Sequence, residues 1–345
     1  MTIEELLGLV RKNILSLAPY STARDEYKGS LGVFLDANEN PYNNGYNRYP
    51  DPTQAALKNR IAEIKKIPAE QIFIGNGSDE AIDLCIRIFC EPQVDNVVTI
   101  APTYGMYRVA ADINNVPIKE VRLSPDYSLP TADILNACDA NTKLIFLCSP
   151  NNPTGLSFPL EQMRYILEYF NGILVVDEAY IDFSSQQSML AMLAEYNNLI
   201  VLQTLSKAYG MAALRLGLAF ANVEIMRLFA AVKYPYNINL PAMEKAFGLL
   251  SRDVGNEVAA IISERRRVSE RLSAMKSVRK VYPSDANFLL VKVDDAPQMY
   301  EALISNGVIV RDRSRVAGCE GCLRITIGTV EENDKLLEII EQYEP

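Results

Sequence analysis

Between about residues 70 and 220 the chain alternates short apolar runs with polar turns and stretches of helical periodicity. The runs fall at 72–74, 97–100, 144–148, 173–176, 199–203 and 216–220. Each is of strand length and rich in Ile, Val and Leu, which predicts strands buried on both faces. After the first run, Ala81, Ile82, Cys85, Ile86 and Phe89 recur at helical spacing, and further helices are expected after Tyr104 and at 160–170. Strand, turn and helix in repetition predict an α/β unit whose mostly parallel sheet is covered by helices on both sides.

The flanks follow other patterns. Residues 3 to about 17 read as an amphipathic helix with no core of its own, so residues 1–30 are expected to form an arm that docks elsewhere. An extended piece at 33–36 leads into a run dense in Asn and Pro through residue 52, an ordered loop, and then a helix at 53–66. Beyond residue 230 the pattern predicts a long polar helix at 240–275, strands at 279–282, 287–293, 308–311 and 323–327, and helices at 297–306 and 331–343. The expected organisation is an arm (1–30), a large α/β unit (31–235) and a smaller α+β unit (236–345).

Composition narrows the function. A formal net charge of −9 argues against a nucleic-acid surface. No apolar run reaches bilayer length, and Glu4 and Glu5 stand where a signal peptide carries positive charge, so a cytoplasmic protein with no membrane partner is expected. The six cysteines are too sparse for a disulfide scaffold, and Cys319-x-x-Cys322 reads as two reduced thiols in a turn before a strand. Histidine is absent. That excludes Ser-His-Asp and Cys-His catalysis and histidine-ligated metals, and no metal site is expected. Acid/base work near neutral pH falls to a perturbed lysine, carboxylate, tyrosine or cysteine.

In open α/β sheets, ligands bind beyond the carboxyl ends of the strands. The chemically distinctive residues fall there: Gly77-Ser78-Asp79, Tyr104, Asn152, Asp177 with Tyr180, and Ser206-Lys207, with Arg215 eight positions further on. A lysine amine in a desolvated pocket or beside a cation loses its proton readily and can condense with an aldehyde. A helix start with flanking hydroxyls and an arginine suits a phosphate. Each residue also has a structural reading: a solvated lysine, an aspartate capping the next segment, an asparagine shaping Asn-Asn-Pro-Thr-Gly, a core tyrosine.

Taken together, Asn47-Arg48-Tyr49-Pro50, Gly75 to Glu80, Ser149 to Gly155, Asp177-Glu178-Ala179-Tyr180, Thr204 to Gly217 and Cys322 to Gly328 resemble the fold-type I, aspartate-aminotransferase-like family of pyridoxal phosphate enzymes. The softer motif Leu35-Asp36-Ala37-Asn38-Glu39-Asn40-Pro41 makes the chain similar to the branch acting on histidinol phosphate. The resemblance implies a homodimer that transaminates imidazole acetol phosphate with glutamate, giving histidinol phosphate and 2-oxoglutarate. It implies catalytic roles for Lys207, Asp177 and Tyr180. Pyridoxal 5'-phosphate would be held by Gly77, Ser78, Asp79, Tyr104, Asn152, Asp177, Tyr180, Ser206, Lys207 and Arg215, with Tyr49 reaching the partner's cofactor phosphate. Substrate would meet Asn152, Arg324, Arg311 and, from the arm, Tyr20. Tyr209, Met211 and Ala213 depart from the family's Phe, Leu and Gly, all volume-tolerant changes. Related members acting on aromatic amino acids or threonine phosphate share nearly all these motifs, and a ligand-sensing regulator is the alternative outside enzymes.

Overall fold

The computed structural model describes residues 1–20 and 32–343, so expectations for residues 21–30 of the arm and for residue 31 lie outside the described residues. The expected apolar runs form one seven-stranded sheet. Its strands are β1 (Ile72–Asn76), β2 (Asn96–Ala101), β3 (Ile118–Arg122), β4 (Thr142–Cys148), β5 (Ile173–Asp177), β6 (Leu199–Thr204) and β7 (Leu216–Phe220), in the order β1-β7-β6-β5-β4-β2-β3. β2 to β6 are parallel, and β7 runs antiparallel between β1 and β6. Because β7 opposes its neighbours, it begins at the edge where they end. Arg215, just before β7, therefore lies beside the ends of β1 and β6.

Alternate residues of the central strands feed two cores. Ile145, Leu147, Leu174, Val176, Leu199 and Val201 face one, while Leu144, Phe146, Ile173, Val175, Ile200 and Leu202 face the other. This is the two-sided burial that the unbroken apolar runs require. The edge strand β3 was not expected from the pattern. Its sequence Ile-Lys-Glu-Val-Arg is only partly buried, so its apolar signal is diluted.

At the N-terminus the expected single helix is two, α1 (Ile3–Gly8) and α2 (Lys12–Leu15). Arg11 interrupts them: its N–H donates to Ile88 O, and its guanidinium bonds Arg87 O and Glu91. Leu6 and Val10 insert into the core, so this part of the arm docks on the large unit. The helices around the sheet are α3 (Ala55–Lys65), α4 (Ser78–Phe89), α5 (Met106–Ile113), α6 (Thr131–Ala137), α7 (Leu160–Tyr169) and α8 (Val223–Val232).

The long helix expected at 240–275 is broken into α9 (Leu240–Leu249) and α10 (Gly255–Ser273), with the Asp253 carboxylate taking the Gly255 N–H in the intervening turn. Ala242, Met243 and Ala246 of α9 belong to the large-sheet core, so packing of that core continues past the expected division at 235/236. The second sheet is antiparallel, in the order β10 (Arg311–Asp312), β11 (Cys322–Thr326), β9 (Phe288–Val293), β8 (Val278–Val281). With α10, α11 (Ala296–Ser305) and α12 (Val330–Gln342) it forms a separate core. The strand expected at 308–311 shrinks to the two residues of β10.

Candidate active site

Ten of the residues expected at the site line a single cavity at the shared strand edge: Gly77, Ser78, Asp79, Tyr104, Asn152, Asp177, Tyr180, Ser206, Lys207 and Arg215. The cavity starts from backbone geometry. Gly77, at φ +80°, is the N-cap of α4, and its N–H donates to Arg215 O at 2.7 Å. The positive φ favours glycine at the cap, and Ser78 is the first helical residue. First-turn N–H groups have no acceptor within their helix, so Ser78 and Asp79 present donors and the positive end of the helix dipole. Two glycines keep the approach open. A Cβ on Gly77 would meet Arg215 Nη2 at 2.6 Å, and one on Gly217 would meet Ser78 N at 2.0 Å. Ser206 adds a hydroxyl from the turn after β6, where its N–H donates to Thr204 Oγ1. Thr204 and Ala212 also line the cavity and were not anticipated as site residues.

Asp177 ends β5 almost fully buried. Burial lifts its pKa to about 6, and Asp79 adds to the rise, while hydrogen bonds from Tyr107 and Ala179 and the charge of Lys207 oppose it. Tyr107 OH donates to Asp177 Oδ2 at 2.8 Å, and the Ala179 N–H donates to Oδ1 at 3.1 Å. Tyr107 was missed from the sequence. It lies three positions after Tyr104 and stacks on Phe146, and an apolar-looking helix position gave no sign that its hydroxyl reaches the buried Asp177 carboxylate. Tyr104 OH donates to Asp79 Oδ1 at 3.0 Å, and Asp79 Oδ2 lies 3.7 Å from Arg215 Nη2.

Lys207 opens to solvent through the cavity mouth, yet its amine lies among protein atoms. Desolvation lowers its pKa, the charges of Arg324 and Arg215 lower it further, and Asp177 and Asp79 pull the other way. The amine sits 5.7 Å from the centre of the Tyr180 ring. Tyr180 is buried, and desolvation raises its phenol pKa, keeping the proton available to donate at neutral pH.

The small sheet adjoins the cavity through Asn152. Arg324 Nη1 donates to Asn152 Oδ1 at 2.6 Å, fixing both side chains, and its guanidinium carbon lies 5.3 Å from the Phe288 ring centre. Arg311 is the cross-strand partner of Arg324, so the two arginines share one face of the antiparallel pair. Four expected residues do not line the cavity: Arg324 and Arg311, which adjoin it through Asn152, and Tyr49 and Tyr20. Tyr49 stacks on Tyr236 at 4.5 Å against a separate pocket, and Tyr20 is exposed at the end of the described arm.

The model of aminotransferase class I and II matches residues 25–340. The chain belongs to the class I and II aminotransferases. A histidinol-phosphate aminotransferase of Parabacteroides distasonis is 53% identical over 98% of this chain and 99% of its own. One of Flavobacterium psychrophilum is 50% identical over 97% of each. The solved histidinol-phosphate aminotransferase of Sinorhizobium meliloti, in complex with pyridoxal-5'-phosphate, superposes with a TM-score of 0.79, covering 86% of this chain and 82% of that one. At 22% identity it shows the shared fold. Aminotransferases of this family use pyridoxal phosphate, and the donor set here fits that group. A helix start cleared by Gly77 and Gly217 and flanked by Arg215 can take the phosphate, and a buried acid faces the cavity from the end of β5.

Proposed function

We propose that this aminotransferase moves an amino group from glutamate to imidazole acetol phosphate, yielding histidinol phosphate and 2-oxoglutarate in histidine biosynthesis. The observation that carries the reading is the convergence of Lys207, Asp177 and Arg215 on one cavity, with Arg324 bonded to Asn152 of its lining. Two full-length relatives at half identity or better, both named for histidinol phosphate, support the substrate.

When bound, pyridoxal phosphate supplies an aldehyde that captures an amine and a ring that takes up the electron pair left on the substrate α-carbon. The N–H groups of Ser78 and Asp79, at the helix start that Gly77 shapes, together with the Ser206 hydroxyl and Arg215 would hold its phosphate. Asp177, steadied by Tyr107, would supply a fixed negative charge that keeps the ring nitrogen protonated. Tyr180 and Asn152 would donate hydrogen bonds to the cofactor, and Tyr104 would pack against it. Lys207 would hold the cofactor, and its amine would take the proton from the substrate α-carbon at Nζ. Its lowered pKa suits a base. Arg324 and Arg311 take the anionic end of each substrate, and Tyr20 closes over it.

The site is shared in a homodimer. Val33 and Leu35 are each 87% exposed, and Tyr42, Tyr46, Tyr49 and Tyr234 are exposed as well, which supports a partner surface here. A second copy covers it and receives Tyr49 at its cofactor phosphate. No helix among the described residues is long and apolar enough to cross a membrane. The enzyme works in the cytoplasm.

The test supplies purified enzyme with 2-oxoglutarate and, in turn, histidinol phosphate, an aromatic amino acid and threonine phosphate. Glutamate formation at the highest kcat/KM with histidinol phosphate is expected. Preference for another donor, or carbon dioxide release from threonine phosphate, would reassign the enzyme.

A further inference from the structure

Arg313 is absorbed by none of the roles above. It follows β10, and its N–H donates to Cys322 O at 2.9 Å, extending the ladder that sets Arg311 opposite Arg324. Side chains alternate along a strand, which puts Arg313 on the face of Arg311 and Arg324 and sends Asp312 to the other, where its carboxylate takes the Ser314 N–H. Three guanidinium groups thus gather on one face of the small sheet, beside the cavity that Asn152 lines. Arg313 forms no ion pair with a described residue, and the Nε atoms of Arg313 and Arg324 are both shielded from water without a hydrogen-bond partner.

Like charges gathered without a carboxylate are unfavourable, and shielded donors without acceptors add to the cost. Burial, then Arg324 and Arg311, lower the Arg313 pKa, and Arg313 is felt in turn by the Tyr180 phenol that lines the cavity. Such an arrangement is satisfied by an anion. Two arginines match a carboxylate, which has one charge and two oxygens. A phosphate monoester carries about −1.5 to −2 charges and three acceptor oxygens, and calls for more.

We propose that Arg313 is a specificity-determining residue: as the third cation of the Arg324–Arg311 site, it selects a substrate ending in a phosphate monoester over one ending in a carboxylate. This rests on histidinol phosphate being the amine substrate.

The experiment compares wild type with Arg313→Gln and Arg313→Lys, following the cofactor spectrum in single turnovers with histidinol phosphate and with glutamate separately. Inorganic phosphate is titrated as a competitive inhibitor, and the Tm of each variant is recorded. In Arg313→Gln the ratio of kcat/KM for histidinol phosphate to that for glutamate falls about tenfold or more, mainly through KM, as expected for the loss of one charge-assisted hydrogen bond. The inhibition constant for phosphate rises in parallel, the lysine variant recovers part of both, and the Tm does not fall, because a like charge has been removed. An unchanged ratio and unchanged phosphate inhibition would overturn the proposal. So would equal losses for both substrates with a lowered Tm, which mark a structural residue. If wild type fails to turn over histidinol phosphate, the substrate assignment is what fails, and the phosphate titration still decides the role of Arg313.

Discussion

Replacing Asp177 by Asn should make the cofactor-free protein more stable while removing its activity. An unfolded aspartate has its ordinary pKa of 3.8, and in the folded protein burial lifts Asp177 to about 6. Between those values the folded state holds more protons than the unfolded one, so stability falls as pH rises through that window and the full penalty is present above it. A rise of roughly two pKa units corresponds to about 3 kcal/mol. The same linkage gives about 1.5 kcal/mol at pH 5 and about 3 kcal/mol at pH 8. Urea unfolding of cofactor-free wild type and Asp177→Asn across that range measures the difference directly. The asparagine Oδ1 can still accept from the Ala179 N–H while its Nδ2–H donates to the Tyr107 hydroxyl oxygen, and any cost of this exchange is an offset that does not vary with pH. The stability difference should therefore grow by roughly 1.5 kcal/mol in favour of the variant from pH 5 to pH 8. A difference that stays flat would refute the view that Asp177 is held in the cavity as a strained, desolvated acid awaiting a cationic partner.

Other consequences concern the cradle, the small sheet and the dimer. Gly217→Ala forces the start of α4 away from β7, because its Cβ would meet Ser78 N at 2.0 Å. Fluorescence titration should show cofactor affinity down about tenfold or more, and an unchanged Kd would mean the α4 start does not hold the phosphate. Arg324→Gln removes a part-buried charge and should cost about 2–5 kcal/mol, about 30-fold or more in kcat/KM for both substrates. The bound-cofactor absorbance should survive, and wild-type kinetics would take Arg324 out of the site. Mixing inactive Tyr49 and Lys207 variants should restore part of the activity in hybrid dimers, whereas verified hybrids with none would place Tyr49 outside the partner's site.

What the sequence made legible was what depends on local pattern. Unbroken Ile/Val/Leu runs can only be strands wet on neither face, and turn chemistry at their ends marked Gly77, Asn152, Asp177 and Lys207 in advance. The edge strand β3 escaped notice because its outward Lys119 and Glu120 hide the apolar signal, and the helix at 240–275 was overextended because the Asp253 turn lies between two helical segments. Tyr107 and Arg313 were missed for a common reason. Their significance lies in a hydroxyl aimed at Asp177 and a guanidinium gathered beside Arg324, which only the crossing of distant strands creates. The position of Arg215 is tertiary in the same way, since its place beside Gly77 follows from β7 running antiparallel.

The central claim, that Lys207 carries the cofactor, has a direct test. Borohydride reduction of the holoenzyme fixes the cofactor to the lysine that bears it, and digestion with mass spectrometry locates the label. The account predicts a single label on the peptide containing Lys207, and in Lys207→Ala neither label nor turnover. Label on another lysine, or a turning-over Lys207→Ala enzyme, would contradict it.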